Sequence, residues 1–369
     1  MINGNPFGFK SNKNIRGGSK MKKLSAVLLV VVLALMALTA CSNGQKATGK
    51  ETGNASTSTG SQSSQSSNSN ATSGKDEIYI GFAGMTLNNE YHVTLANGAK
   101  KKAEELGVKI DVQAGDQHAS AAAQLTIIEN FIENGVDGII IVPSASEGLE
   151  AALKKCKEKG IPVINADTQL DETIVKNAGL EVPFYGTDNY QGAKLAGEYV
   201  KEHFPEGTVT AILTGIEGQK NAADRRNGFI EGAGDHIKLV AEQTANWEVD
   251  QGYTAAQNIL SAHPDLQLFF CSNDNMGIGA LRAVQEAGLQ DQVKIIGFDA
   301  VSEALNLVES GDFEATVAQF PAKMGELSVE NLVKMIKGES YEKYIDTGCQ
   351  LITKDNVAEF KDYLSKYAE

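Results

Sequence analysis

The chain has 369 residues and a formal net charge of −14 at pH 7, from 47 acidic and 33 basic residues. This acidic excess argues against nucleic acid as a partner, because phosphates require a basic protein face. The four cysteines are widely spaced and form no C-x-x-C pair, which argues against a disulfide framework and a zinc site.

Residues 1–20 form a polar, glycine-rich segment without hydrophobic periodicity. We interpret this segment as the result of a start codon assigned too early, with Met21 as the true first residue. N-terminal sequencing of an unprocessed precursor tests this interpretation, and the presence of residues 1–20 would contradict it.

An export signal follows in residues 21–41. Two lysines supply its positive region, and residues 24–40 supply its apolar region. The segment ends in the letters LTAC, which resemble the lipobox of bacterial lipoproteins and predict lipidation of Cys41 and membrane contact through that lipid. The alternative is a transmembrane anchor, because the apolar run is almost long enough to span a bilayer. In either case, the rest of the chain is predicted to lie on the extracytoplasmic face of the cell membrane.

Residues 42–75 consist mainly of Ser, Asn, Thr, Gln and Gly. Such a segment buries too little apolar surface to offset its chain entropy, so we predict a disordered tether. The remaining segment starts near Asp76 and is close to the upper limit for a single core. Its length therefore favours two lobes.

From residue 76 onwards, apolar runs typical of strands alternate with helical periodicity. Strands that are apolar throughout are buried on both faces, as in parallel sheets covered by helices. The pattern predicts an α/β fold of two doubly wound parallel-sheet lobes, with a break near residues 181–188. The predicted strands cover residues 78–82, 108–112, 139–142, 161–164, 209–213, 237–241, 266–270 and 293–296. The predicted helices cover residues 91–106, 119–134, 149–159, 190–203, 222–231, 252–262 and 276–287.

Polar and aromatic side chains follow the carboxyl ends of seven predicted strands. In open α/β sheets this edge is where ligands bind, although turn chemistry alone also favours Asn and Asp in such loops. Seven loops on one edge predict a binding site. The residues concerned are Thr86, Asn88, Asn89, Ser144, Asn165, Asp167, Thr214, Trp247, Asn273, Asp274 and Asp299.

The motifs of common enzyme classes are absent from the sequence. The first predicted strand is not followed by G-x-G-x-x-G, and the chain contains neither a phosphate-binding G-x-x-x-x-G-K-[ST] loop nor a G-x-S-x-G elbow. The five histidines never pair at metal-ligand spacing. We therefore predict a binding protein rather than an enzyme, without a metal or a cofactor.

Four segments resemble ribose- and galactose-type periplasmic sugar-binding proteins. They read TLNNEYH at 86–92, NDNMGIGAL at 273–281, IGFD at 296–299 and ATVAQFP at 315–321, and similar positions run in order from about residue 77 to residue 353. The resemblance implies a monomer that captures a monosaccharide or polyol between two lobes and delivers it to an ABC-type permease in the membrane. Carried over by position, the residues implied to line the site are Asn89, Tyr91, Asp167, Trp247, Asn273, Asp299 and Gln319.

The same resemblance implies a three-crossover hinge between the lobes. The crossovers would lie near residues 185–188, 319–320 and 346–348. This division assigns residues 76–186 plus 320–346 to the N-terminal lobe and residues 187–319 plus 347–369 to the C-terminal lobe.

The residue types at the implied site suit a sugar. Carboxylates and amides bond vicinal hydroxyls, and aromatic faces stack on the C–H surface of a sugar ring. Tyr91 and Trp247, one from each lobe, are predicted to sandwich that ring. The alternative for Trp247, the only tryptophan in the chain, is a packing role between helix and sheet.

Two departures from ribose-type proteins concern cations. Ribose binders resemble one another in placing an arginine directly after the aspartate that aligns with Asp167, where this chain has Thr168. Their second arginine is expected to align with Ala223, and Arg225 stands one helical step away. These changes predict a more anionic cleft and a ligand other than ribose, with an amino sugar as the sharper hypothesis. The alternative is that Lys220, Arg225 or Arg226 reaches the cleft and restores the charge.

Two other classes of protein share this fold. A transcription regulator of the lac-repressor type would need a basic helix-turn-helix before the core, where this chain has the signal and tether. A sensory lipoprotein that presents a sugar or furanosyl signal to a membrane receptor kinase is an alternative that the folded sequence does not separate from transport.

Overall fold

The computed structural model describes residues 77–115 and 121–367. The predictions for the N-terminal segments up to residue 75, including lipidation of Cys41, therefore lie outside the described residues. Within the described ranges, no helix is both long enough and apolar enough to cross a membrane.

Strands and helices alternate along the described chain. The strands are β1 Tyr79–Thr86, β2 Lys109–Gly115, β3 Gly138–Ile141, β4 Val163–Ala166, β5 Phe184–Gly186, β6 Thr208–Thr214, β7 Ile237–Thr244, β8 Leu268–Cys271, β9 Lys294–Asp299, β10 Ala315–Gln319, β11 Tyr344–Asp346 and β12 Cys349–Ile352. The α-helices are α1 Glu90–Leu106, α2 Ala121–Glu133, α3 Glu150–Lys159, α4 Glu172–Ala178, α5 Asn189–His203, α6 Lys220–Ala233, α7 Val249–Ala262, α8 Asp274–Glu286, α9 Ser302–Ser310, α10 Pro321–Lys337 and α11 Val357–Leu364.

The strands form two six-stranded sheets. The first has the order β11-β5-β4-β3-β1-β2, and all of its paired strands are parallel. The second has the order β12-β10-β9-β8-β6-β7, and only its edge strand β12 runs antiparallel to its neighbour. We call the first sheet with its helices the N-terminal lobe and the second the C-terminal lobe. The predicted fold of two doubly wound parallel-sheet lobes is confirmed, with one antiparallel edge strand in addition.

The chain passes between the two sheets three times. It leaves the first sheet at the end of β5, returns after β10 through α10, and leaves again between β11 and β12. Helix α10 packs against β3, β4 and α1, which places it in the N-terminal lobe. The predicted three-crossover hinge is therefore present.

Central strands owe their position to continuous apolar sequence. β3 reads GIII and β8 reads LFFC, and every residue in both is buried. Strands that lack alternating polar residues are buried on both faces, and helices cover both sides of such a sheet. Polar residues at the strand ends then begin the next helices: the Asn89 side chain accepts from the Tyr91 backbone N–H at α1, and Asn273 accepts from Met276 at α8. This arrangement places polar residues at the carboxyl edge of each sheet.

The three cysteines in the described ranges are free thiols. Cys156 and Cys271 are buried and Cys349 is half-buried. Burial raises the pKa of Cys156 to about 12 and that of Cys349 to about 11. These thiols stay protonated at neutral pH and pack as small apolar side chains, as the sequence predicts.

Candidate ligand-binding site

A small cavity lies between the lobes at the carboxyl edges of both sheets. Its volume is about 30 Å³, room for one or two water molecules at about 10–15 Å³ each. A larger ligand therefore enters only when the lobes separate. The lining residues are Met85, Asn89, Tyr91, His92, Asp167, Asn221, Arg225, Trp247, Asn273 and Asp299.

The structure brings the seven predicted site residues together. Six of them line the cavity, and the seventh, Gln319, donates its amide Nε2 to Asp299 Oδ1 at 2.7 Å. All seven side chains belong to buried residues. Their contact with a ligand stays a prediction.

On the N-terminal side of the cavity, Asp167 is bonded by hydroxyl groups. The Tyr91 hydroxyl lies 2.7 Å from Asp167 Oδ1 and 3.2 Å from Gln319 Oε1, and its single proton favours the nearer, charged acceptor. Thr168 Oγ1 donates to Asp167 Oδ2 at 3.0 Å. Burial, followed by the nearby Asp167 charge, raises the pKa of Tyr91 well above its usual range. Tyr91 therefore remains a hydrogen-bond donor at neutral pH.

On the C-terminal side, Arg225 reaches the cavity. Its Nη1 lies 3.1 Å from Asp299 Oδ1 and donates to the Ser272 carbonyl oxygen at 2.7 Å, while its Nε donates to Asn189 Oδ1 at 2.7 Å. The guanidinium carbon lies 3.9 Å from the centre of the Phe298 ring, within cation–π range. Arg225 is 3% exposed, so this cation is part of the buried site.

This position of Arg225 agrees with the alternative that a nearby cation reaches the cleft, rather than with a more anionic cleft. Along α6, residues 221, 222, 225, 228 and 229 are buried, whereas Ala223 is exposed. Helical periodicity thus turns position 225 inward and position 223 towards solvent, so Arg225 reaches the cavity although it stands one helical step from the position expected for the arginine. The other two candidate cations lie on the surface, where Lys220 pairs with Asp224 and Arg226 pairs with Glu242.

Burial changes the acidity of two carboxyl groups near Arg225. It raises the pKa of Asp299 to about 6, with Arg225 acting in the opposite direction. Burial, and then the charge of Asp299, raises the pKa of Asp274 well above its usual range. Asp274 accepts from Thr316 Oγ1 at 2.7 Å and from the Val301 backbone N–H at 2.9 Å. Burial therefore favours the neutral form of both carboxyl groups more than it would be favoured at the surface.

Trp247 both lines the cavity and packs against its own lobe. Its indole Nε1 donates to Gln219 Oε1 at 2.7 Å, and its ring lies against Gly215, where an added Cβ would come within 1.8 Å of the ring. The two roles considered for Trp247 are thus compatible. The rings of Tyr91 and Trp247 reach the same cavity from different lobes, and their stacking on a sugar stays a prediction.

Three of the predicted site residues have left-handed backbone conformations. The φ angles are 66° at Asp167, 68° at Trp247 and 113° at Asp299. Positive φ is unfavourable for residues with a Cβ and most unusual for a bulky one such as tryptophan. Such strain concentrates at functional sites, where the surrounding fold maintains it. The residues with positive φ therefore lie at the same carboxyl edges of the sheets as the polar side chains of the site.

Sequence reasoning missed some of the residues at this site. Asn221 and Gln219 were not predicted, and Arg225 was given only as one of three alternative cations. His92 and Met85 were not predicted as site residues either, yet both line the cavity. The buried period of α6 is the signal that identifies Asn221 and Arg225 together.

Comparisons with known proteins agree with this architecture. A profile of the periplasmic binding protein domain matches residues 80–340. The D-ribose/D-allose-binding protein of Pseudomonas aeruginosa is 32% identical over 277 residues, which are 73% of this chain and 86% of that protein. The ribose import binding protein RbsB of Bacillus subtilis is 30% identical over 336 residues, 90% of this chain and all of that protein.

A solved structure that is similar to this chain also belongs to a periplasmic solute-binding protein. An ABC transporter periplasmic solute-binding protein from Actinobacillus succinogenes, with bound D-allose, superposes with a TM-score of 0.74 at 32% identity. The superposition covers 77% of this chain and 100% of that one. These relatives are binding and import proteins rather than enzymes. The chain described here belongs to the periplasmic binding protein family, among its sugar-binding members.

Proposed function

We propose that this protein is an extracytoplasmic substrate-binding lipoprotein that captures a monosaccharide or related polyol between its lobes and delivers it to an ABC-type importer. The observation that carries the proposal is the cavity itself. Both lobes contribute buried carboxylate, amide and aromatic side chains to one small space. A neutral, hydroxyl-rich ligand matches such a lining, because each hydroxyl both donates and accepts.

The proposed ligand follows from the charges around the cavity. Arg225 pairs with Asp299, so the argument for an amino sugar, which rested on two uncompensated carboxylates, loses one of its two carboxylates. Asp167 is bonded by the hydroxyls of Tyr91 and Thr168. We therefore favour a neutral sugar or polyol that differs from ribose at the end near Asp167, where ribose binders are expected to carry an arginine. The ribose and allose named for the relatives define the first compounds to test.

Mass spectrometry of ligand released from freshly purified protein tests the proposed function. A thermal-shift panel of D-ribose, D-allose, D-galactose, myo-inositol and D-glucosamine then ranks candidates, because a ligand at 100 times its Kd adds about 2.7 kcal/mol to the unfolding free energy. Stabilisation by a neutral sugar supports the proposal. No stabilisation by any sugar or polyol would contradict it, and the largest shift with ribose would contradict the proposed departure from ribose.

The lipid anchor and the delivery role need separate tests. Incorporation of labelled fatty acid into the wild-type chain, and its loss in Cys41→Ser, would support lipidation. Light scattering of the purified protein tests the proposed monomer. A permease and ATPase encoded beside this chain would favour import, whereas a receptor kinase there would favour the sensory alternative.

A further inference from the structure

The two lobes contact each other directly at the rim of the cavity. Gln219, at the start of α6 in the C-terminal lobe, donates its amide Nε2 to the carbonyl oxygen of Ser144, after β3 in the N-terminal lobe, at 2.7 Å. Both residues are buried. This hydrogen bond exists only while the lobes are closed, because the two residues belong to different lobes.

The other end of the same side chain holds the tryptophan. Gln219 Oε1 accepts the indole N–H of Trp247 at 2.7 Å, while the side chain makes no capping bond to its own helix. The amide oxygen therefore bonds the indole, and the amide nitrogen bonds the opposite lobe. The orientation that suits the indole is the one that presents the N–H group to Ser144.

A second interlobe contact lies outside the cavity lining. The Glu90 carboxylate, at the start of α1, accepts from the Ser302 backbone N–H at 3.0 Å and from Ser302 Oγ at 2.6 Å. Val301, the residue before α9, makes no side-chain cap bond, so Glu90 supplies the acceptor at that helix end from the other lobe. Both partners are exposed, and solvent weakens this contact relative to the buried one.

We propose that Gln219 is a positioning residue that couples the indole of Trp247 to closure of the lobes, with Glu90 stabilising the same closed state from outside the cavity. The inference rests on the proposed function in that a sugar contacts Trp247. A ligand shifts a conformational equilibrium only through contacts that differ between the two states. Gln219 provides such a difference, because a ring held in place by a sugar keeps the amide aimed at Ser144.

The variant Gln219→Glu separates the hydrogen bond to the Trp247 indole from the hydrogen bond to Ser144. A carboxylate of the same size still accepts the indole N–H but has no N–H to donate to Ser144. The control for the chemical change is Gln292→Glu, because Gln292 also donates Nε2 to backbone carbonyl oxygens, of Pro264 and Leu266, but within one lobe and at an exposed position. Glu90→Ala removes the outer contact without altering the cavity lining.

Stopped-flow binding followed by the emission of Trp247, the only tryptophan, provides the measurement. With the sugar that gives the largest thermal shift, Gln219→Glu is expected to raise the dissociation rate at least about two- to tenfold, because the variant loses one hydrogen bond and turns a carboxylate oxygen towards the Ser144 carbonyl oxygen. The association rate should stay within about twofold, because the bond forms after encounter. Glu90→Ala should raise the dissociation rate less, and Gln292→Glu should match wild type.

The spectroscopic signature distinguishes coupling from a merely structural role. Sugar binding should shift the Trp247 emission to shorter wavelength in wild type, and by less in both Gln219→Glu and Glu90→Ala. Glu90 does not line the cavity, so its effect on the indole can come only through closure. An unchanged dissociation rate in Gln219→Glu, or a wild-type emission shift in Glu90→Ala, would overturn the proposal.

A wild-type protein that binds no sugar would instead defeat the proposed function. Fluorescence quenching of the sugar-free protein then tests the coupling between Trp247 and lobe closure. Greater acrylamide quenching of Trp247 in both Gln219→Glu and Glu90→Ala than in wild type would support it. Equal quenching in the three proteins would overturn it.

Discussion

The two sides of the cavity hold their carboxylates in different ways. Asp299, in the C-terminal lobe, is paired with Arg225 and bonded by the Gln319 amide. Asp167, in the N-terminal lobe, is bonded by the hydroxyls of Tyr91 and Thr168. A guanidinium is planar, permanently charged and donates to several acceptors at once, whereas hydroxyls rotate and exchange partners. We therefore expect the carboxylate on the C-terminal side to be held more firmly, and ligand preference to be more easily changed on the N-terminal side.

The largest effect is expected from Arg225→Met, which removes the cation and keeps much of the side-chain volume. Removing one partner of a buried ion pair leaves the other charge uncompensated and costs about 3–5 kcal/mol. Urea unfolding should show a loss of that order. The control is Arg226→Met, because Arg226 pairs with Glu242 at the surface and should cost about 1 kcal/mol or less. Equal losses in the two variants would remove the distinction between the two sides.

A pH profile tests the state of Asp299. Its pKa is raised from 3.8 to about 6 in the folded protein, so the folded state holds this proton more tightly than the unfolded chain. The tighter proton binding adds on the order of 3 kcal/mol to the unfolding free energy. This contribution is fully present below about pH 4 and is lost as the pH rises through 6. Asp299→Asn has no such proton, so the difference in unfolding free energy between wild type and variant should fall between pH 4 and pH 7. Parallel profiles would contradict the raised pKa.

Asp299→Ala tests the site itself. If Asp299 bonds a sugar hydroxyl, binding should weaken by about 1.5–3 kcal/mol while the chain still folds. Isothermal titration with the sugar that binds wild type provides the measurement, and circular dichroism checks the fold. Asp235→Ala is the control, since Asp235 is exposed in the short 3-10 turn after the end of α6 and does not line the cavity. Unchanged affinity in Asp299→Ala would remove this residue from the site.

The smallest effect is expected from Tyr91→Phe on the N-terminal side. The variant removes one hydroxyl donor from Asp167 and leaves the Thr168 hydroxyl, so the unfolding free energy should fall by about 1 kcal/mol. The control is Tyr253→Phe, because the Tyr253 hydroxyl bonds Glu286 at the surface. A loss as large as that of Arg225→Met would show that Asp167 is held as rigidly as Asp299.

Much of the fold follows from the sequence, since every predicted strand and helix has a counterpart that differs only at its ends. The elements without a predicted counterpart are α4, β5 and all the strands and α-helices after β9. α4 and β5 contain 7 and 3 residues, too few for a period to appear. α10 carries clear signals, with Pro321 in its first turn and Gly338 after its last residue, so the sequence contains the information for this helix although it was not predicted.

The site was harder to predict than the fold. Residues that follow strand ends, such as Asp167 and Asp299, can be recognised in the sequence because a polar residue follows an apolar run. Arg225 lies on a helix, and whether it faces the cleft depends on the rotation of that helix about its axis. Gln219 acquires its role only from the distance to the opposite lobe. Such relations come from tertiary packing and have no counterpart in local sequence.

The left-handed backbone at Trp247 has a consequence for engineering. Glycine tolerates such a conformation without the penalty that a side chain incurs, so Trp247→Gly would relieve backbone strain while it removes the ring from the cavity. Selection for thermal resistance alone would still retain the ring, because emptying its buried place would cost about 3–5 kcal/mol against about 1–3 kcal/mol of relieved strain. A sturdier descendant of this protein would have to gain its stability elsewhere in the two sheets.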